Sequence, residues 1–248
     1  MKRLISILTL LTATAAHANS GSLSLAPAVT MVRGEPGQST TQTLRLRNDS
    51  SRTLSFDVVA VDVVVRDGKR VLLDPGLIPA SIAATAVFSQ RHLTIASGDT
   101  AAVTATFTIP SNASTRAVIA LLRGTDKIND VAYSLGSLIT FTLSDGATLV
   151  PDPLRVRPQS ATSNLGIVQL CTNVGTEPVI AKGMLAIVGA DGRIAGQTTL
   201  PQRRLLPGER MDLGTEYGAE LQPGRYRLLV TYDYDGKALT QSADVTVP

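Results

Sequence analysis

The stretch VAYSLGSLITFTLSDG, residues 131–146, places Val131, Tyr133, Leu135, Ile139, Phe141 and Leu143 at odd positions, with Ser137 as the one break in the series. Side chains alternate between the two faces of a β-strand, so a period of two marks a strand with one apolar face. Segments of the same character recur about every ten residues along the chain, among them TQTLRLRN, LSFDVVAVDVVV, AAVTATFTIP, AVIALLRG, GIVQLCTN, MLAIVGA and RYRLLVTYDY. Turn dipeptides stand between them: Pro36-Gly37, Asp67-Gly68, Ser97-Gly98, Asp145-Gly146, Asp191-Gly192, Pro207-Gly208, Pro223-Gly224 and Asp235-Gly236. Glycine accepts positive φ and proline presets the first turn residue, so these pairs reverse the chain. No convincing ten-residue helical period interrupts the pattern. Short strands at this spacing predict an all-β sandwich architecture.

One sandwich does not use up the chain. At SDGATLVPDPLRVRPQS, residues 144–160, three prolines interrupt strand pairing and polar residues accumulate, which puts a domain boundary near Pro151. Both halves then run through a similar order of events. The first reads TLRLRNDSSRTLSFDVVAV and the second VQLCTNVGTEPVIAKGMLAIV: a strand ending in Asn, a polar turn and another apolar strand. LTIASGDTAAVTATF and LLPGERMDL continue the parallel. The expected layout is two tandem immunoglobulin-like sandwiches, residues 19–150 and 151–248, the first the larger.

Residues 1–18, MKRLISILTLLTATAAHA, combine two basic residues, an apolar stretch from Leu4 to Leu11, and Ala16 and Ala18 around His17. This is the form of a cleaved secretory signal peptide, and the periplasm or cell surface follows as the destination. No later run reaches the roughly 18 apolar residues that a membrane helix needs, so no membrane span is expected. Lys2 and Arg3 supply two of the formal +3 charges. The mature chain is therefore nearly neutral, without a basic run or interleaved aromatics, and nucleic acid is not an expected partner.

The quoted segments GEPGQSTTQTLRLRNDS and VFSQRHLTIASGDTAAVTATFTIP resemble the amino-terminal sandwich of the periplasmic pilus-assembly chaperones, the PapD-like superfamily. Length, signal peptide and two-sandwich layout fit that family over most of the chain. The resemblance implies a mechanism in which the last strand of the first domain lends alternate apolar side chains to an incomplete pilin-like subunit, another secreted polypeptide. Leu135, Ile139, Phe141 and Leu143 are then the donor residues. The competing reading is plain core, because every strand with one buried face alternates in this way. The run is also long, and Gly136-Ser137 offers a place for a bulge to split it.

The resemblance further implies basic residues facing the cleft between the domains, where they hold the partner's terminal carboxylate. The first strand offers only Arg33, close to a turn, and residues 135–143 contain no Lys or Arg. Arg123 and Lys127 before the strand, or Arg155 and Arg157 after it, are the cations left for that role, against their reading as solvated charge.

Catalysis finds little support. His92 is the only histidine beyond the signal segment, so a histidine-based metal cluster cannot be assembled. Asp233 and Asp235 fit a hairpin turn, and DYDGKALTQSAD lacks the Glu that closes a calcium loop. No phosphate loop or dinucleotide signature is present, and no cofactor is expected. The lone Cys171 lies in an apolar stretch and reads as core, without a disulfide partner. Tyr217, Tyr226, Tyr232 and Tyr234 gather in the second half, as core or as a small recognition patch. FDVVAVDVVV from Phe56 is apolar on both faces apart from Asp57 and Asp62, which marks a central strand or one whose outer face meets another domain or a partner. The expectation is a non-enzymatic binding protein, chaperone-like, with a structural or adhesive envelope module as the alternative.

Overall fold

The computed structural model describes residues 22–126, 131–160 and 162–248, so the signal-peptide reading of residues 1–18 lies outside the described residues. Almost every regular element is a strand, and among the described residues no helix is long and apolar enough to cross a membrane.

The first sandwich holds β1 (Leu23–Ala26), β2 (Val29–Arg33), β3 (Ser39–Asn48), β4 (Leu54–Arg66), β5 (Lys69–Leu73), β6 (Val87–Phe88), β7 (His92–Ile95), β8 (Thr100–Thr108), β9 (Ala117–Asp126) and β10 (Val131–Thr142). One sheet runs β1-β3-β8-β6; the other runs β2-β10-β9-β4-β5, with β7 also on β4. Alternation decides what faces inward. On β3, Leu44 and Leu46 are buried while Arg45 and Arg47 are exposed. They meet Phe56, Val58 and Ala60 of β4, Val103, Ala105 and Phe107 of β8, and Ile139 and Phe141 of β10 in one core. Phe107 and Phe141 pack edge to face with centroids 6.1 Å apart. The β4–β5 hairpin turns on Asp67 and Gly68, both at positive φ (52° and 74°), as a two-residue turn of this twist requires.

The second sandwich holds β11 (Leu149–Pro151), β12 (Arg155–Arg157), β13 (Leu165–Val168), β14 (Leu170–Asn173), β15 (Val179–Gly189), β16 (Ile194–Leu205), β17 (Arg210–Asp212), β18 (Thr215–Tyr217), β19 (Gly224–Tyr234) and β20 (Lys237–Val247). Its main sheet runs β16-β15-β19-β20, faced by the short sheets β11-β14-β17 and β12-β13-β18. Tyr232 and Tyr234 are core residues here, beside Leu185, Leu228, Val230 and Cys171, and Tyr217 and Tyr226 pack against that core. The recognition-patch reading of these tyrosines therefore gives way to packing. The Tyr232 hydroxyl donates to the Leu213 carbonyl at 3.3 Å. Burial first, then Asp152 and Asp212, push the Cys171 thiol up to about 12.

The change from one core to the other falls at Ser144–Gly146. Leu143 packs against the first core, Ala147 and Leu149 belong to the second, and Leu149–Pro151 already pair with β14. The prolines that suggested a cut near 150 thus lie inside the second sandwich.

Among the described residues, a small apolar cluster and two ion pairs join the two sandwiches, beside hydrogen bonds such as that from Arg210 N to the Gly68 carbonyl. Leu206 of the second packs on Val63 and Ala117 of the first, which explains why β4 is apolar on both faces. Arg116 reaches Glu177 at 3.1 Å, and Arg70 reaches Glu209 at 2.9 Å. Both carboxylates are buried, and each also takes main-chain donors: Leu143 N on Glu177 at 3.0 Å, Leu206 N on Glu209 at 2.9 Å. Buried charges are tolerated when paired and hydrogen-bonded in this way.

Candidate partner-binding face

The odd face of β10 belongs to the protein's own core. Ile139 and Phe141 are fully buried, and Leu135 and Leu143 are half-buried against the same cluster. Side chains that fill this interior cannot enter a partner's pockets while the first sandwich stays folded. No bulge splits the strand either, since the register with β9 runs without a shift from Val131↔Asp126 to Thr140↔Ala117.

What β10 leaves open is an edge and its other face. β2 pairs with β10 in parallel only from Leu138 to Thr142. From Val131 to Ser137 the strand has β9 on one side, and no strand of the described residues on the other. The sheet edge is therefore stepped: β10 in its first half, β2 in its second. On the outer face, even positions of β10 carry the small exposed residues Ala132, Ser134 and Gly136. Val29 and Met31 of β2 lie about half exposed further along, level with Leu138 and Thr140. A sheet edge beside small and apolar side chains is a surface to which an extended segment can add.

The four cations named from the sequence scatter. Lys127 lies outside the described residues. Arg155 and Arg157 sit on β12 of the second sandwich, where Arg157 is engaged by Glu216. Arg123 is exposed on β9, level with Ser134 of β10 and Asp57 of β4.

The cation in the cleft is one that sequence reasoning missed. Arg204, at the end of β16, extends from the second sandwich to the first: its Nη1 donates to Thr140 Oγ1 at 2.9 Å and to the Thr30 carbonyl at 3.2 Å. It has no ion-pair partner among the described residues, and its neighbour Arg70 donates to the Arg204 carbonyl at 2.7 Å while facing Glu209. Burial, then the Arg70 charge, lower the Arg204 pKa from the usual arginine value. A half-buried guanidinium with hydroxyl and carbonyl partners but no acid is a favourable place for a carboxylate. No sequence signal could have found it, because its two contacts lie 64 and 174 residues away.

Among the described residues, no group of three or more His, Cys, Asp or Glu is placed to hold a metal. His92 Nδ1 lies 2.5 Å from Asp57 Oδ1 at the exposed start of β7.

No family model matches the chain, and no curated protein matches it by sequence. Solved structures do resemble it. The class 5 fimbriae chaperone CfaA shares 12% identity, covering 92% of this chain and 100% of that one at a TM-score of 0.46. The E. coli chaperone DraB shares 14%, covering 91% and 98% at 0.41. A chain of the CsuC-CsuE chaperone-tip adhesion subunit pre-assembly complex of Acinetobacter baumannii shares 8%, covering 89% and 97% at 0.44.

Proposed function

We propose that this is an exported, chaperone-like protein that captures another secreted polypeptide, a pilin-like subunit, in the periplasm by strand addition at the stepped edge of its first sandwich. The observation that carries the reading is the edge of β10 from Val131 to Gly136, which no strand of the described residues covers and which leads toward the cleft where Arg204 has no acid among the described residues. Main-chain pairing along an edge supplies affinity for an extended segment, and the neighbouring apolar side chains supply selectivity. The terminal carboxylate of that segment binds Arg204. Leu135, Ile139, Phe141 and Leu143 support the strand from beneath, so the donated element is its edge.

The test is a pull-down of the tagged mature protein from the periplasm of the bacterium that encodes it, beside Arg204→Ala, with mass spectrometry of what stays bound. One small β-rich secreted subunit in near-equimolar amount is the expected result. Arg204→Ala should retain it about tenfold less, the effect of one charge-assisted hydrogen bond. Ile139→Asp serves as the control that unfolds the first sandwich. Retention of nothing by the folded protein, or of cell-wall fragments alone, returns the chain to an envelope-binding module.

A further inference from the structure

The outer face of the six-stranded sheet has a second cationic position at the end remote from Arg204. Across four strands, His92, Asp57, Arg123 and Ser134 lie level with one another. They border a depression of about 740 Å³ that Gly124 and Ala132 also line. Gly124 stays without a side chain because a Cβ there would meet Tyr133 Cε2 at 2.2 Å and the Ser55 carbonyl at 2.6 Å. Asp57 is the nearest acid to Arg123 in register, and His92 sits on it at 2.5 Å. Arg123 itself makes no ion pair among the described residues, and it is exposed.

The side chains between Arg123 and the open edge of β10 are small. Neighbouring strands lie about 4.8 Å apart, so a strand added beside β10 would stand roughly 10 Å from β9. An arginine and a glutamate reaching toward each other across Ser134 span that gap. Resting on the strand-addition reading above, we infer that Arg123 selects partner segments carrying an acidic residue level with Ser134. Arg204 touches β10 at Thr140, six residues or about 20 Å further along. β2 holds the edge from Leu138 on, so the last residues of the segment run extended past it, and a segment whose carboxylate ends at Arg204 carries the selected acid about six positions before its last residue.

Three fluorescein-labelled twelve-residue peptides of alternating valine and serine, each with a free C-terminal carboxylate, test this. They carry Glu, Gln or Lys six positions before the last residue, and anisotropy titrations at low salt compare the wild-type protein with Arg123→Glu. The wild type should bind the Glu peptide about three- to fivefold tighter than the Gln peptide, the range of an exposed ion pair, and the preference should fade at 0.5 M salt. Arg123→Glu should prefer the Lys peptide, with an unchanged melting temperature because the site is exposed. Equal binding of all three peptides to both proteins overturns the role of Arg123 and leaves strand addition standing. Binding of none overturns both.

Discussion

Asn48 in the first sandwich and Asn173 in the second close equivalent corners, almost bond for bond. Each side-chain amide donates to the carbonyl four residues on (Arg52 at 2.7 Å, Glu177 at 2.8 Å) and to a carbonyl of a later strand (Ile95 and Leu205, both at 3.1 Å). Each side-chain oxygen accepts the N–H two residues on, from Ser50 and from Gly175. Each Asn carbonyl takes a glycine N–H, from Gly98 and from Gly208. Position by position, Glu177 answers to Arg52 and Glu209 to Asp99. Arg52 and Asp99 are exposed, whereas Glu177 and Glu209 are buried against Arg116 and Arg70. The corner is thus a folding device used twice. Only in the second domain have its two variable positions become the clamp that fixes one sandwich on the other.

Removing a clamp carboxylate should break this comparison most. Glu177→Ala leaves Arg116 and the Leu143 N–H without their acceptor, and loss of one member of a buried pair costs about 3–5 kcal/mol. Glu209→Ala should cost a similar amount through Arg70 and Leu206 N. Urea unfolding that splits from one transition into two, one per sandwich, is the expected reading for both. A single transition at an unshifted midpoint would show that the clamp adds nothing.

The corner asparagines come next. Asn48→Ala and Asn173→Ala each strand buried carbonyls and should each cost about 2–3 kcal/mol in their own sandwich. Asn173→Ala should also weaken the contact between sandwiches, because its neighbours 177 and 209 carry the clamp. Four of the five tyrosines lie in the second half of the chain, so tyrosine fluorescence follows that sandwich. Equal loss of inter-domain cooperativity in the two variants would contradict the asymmetry.

The contrast also bears on what could be read from the chain itself. The corner was legible twice because Asn, turn and strand are local, and so was the two-sandwich, all-β plan. Alternation on β10 was legible as a buried face, but core-facing and donated strands have the same period. Only the packing of Phe141 on Phe107 and the partial cover by β2 place that face in the protein's own interior. Nothing local in the sequence marks Glu177 or Glu209, because their arginines are 61 and 139 residues away. Arg204 was invisible for the same reason. Its neighbour Arg203 has the same chemistry, and only the tertiary fold shows which of them enters the cleft.

Alkali should separate the sandwiches by a different route. Cys171 titrates at 9.0 in its ordinary setting and is pushed up to about 12 in the folded second core, and burial raises Tyr232 as well. A folded-state pKa above the unfolded one means that the unfolded chain loses its proton first. The stabilisation is complete below pH 9.0 and is lost progressively as pH rises toward 12. The second sandwich should therefore unfold first in alkali, with Cys171→Ala flattening the slope. The Cys171 thiol should resist alkylation at pH 8 until urea opens this core. Rapid alkylation of the native protein would contradict that burial.

Asp99→Ala is the smallest change and the sharpest control. Asp99 occupies the position of Glu209, and its backbone keeps the corner bond to Ala96 just as Glu209 keeps its bond to Leu206. The side chain is exposed and makes no ion pair among the described residues, so its loss should stay within about 0.5 kcal/mol. If Asp99→Ala and Glu209→Ala were equally costly, the expense would belong to the corner itself. A large effect at 209 and almost none at 99 assigns it to what the corner touches: the same turn, exposed in one sandwich, holds an arginine of the neighbouring sandwich in the other.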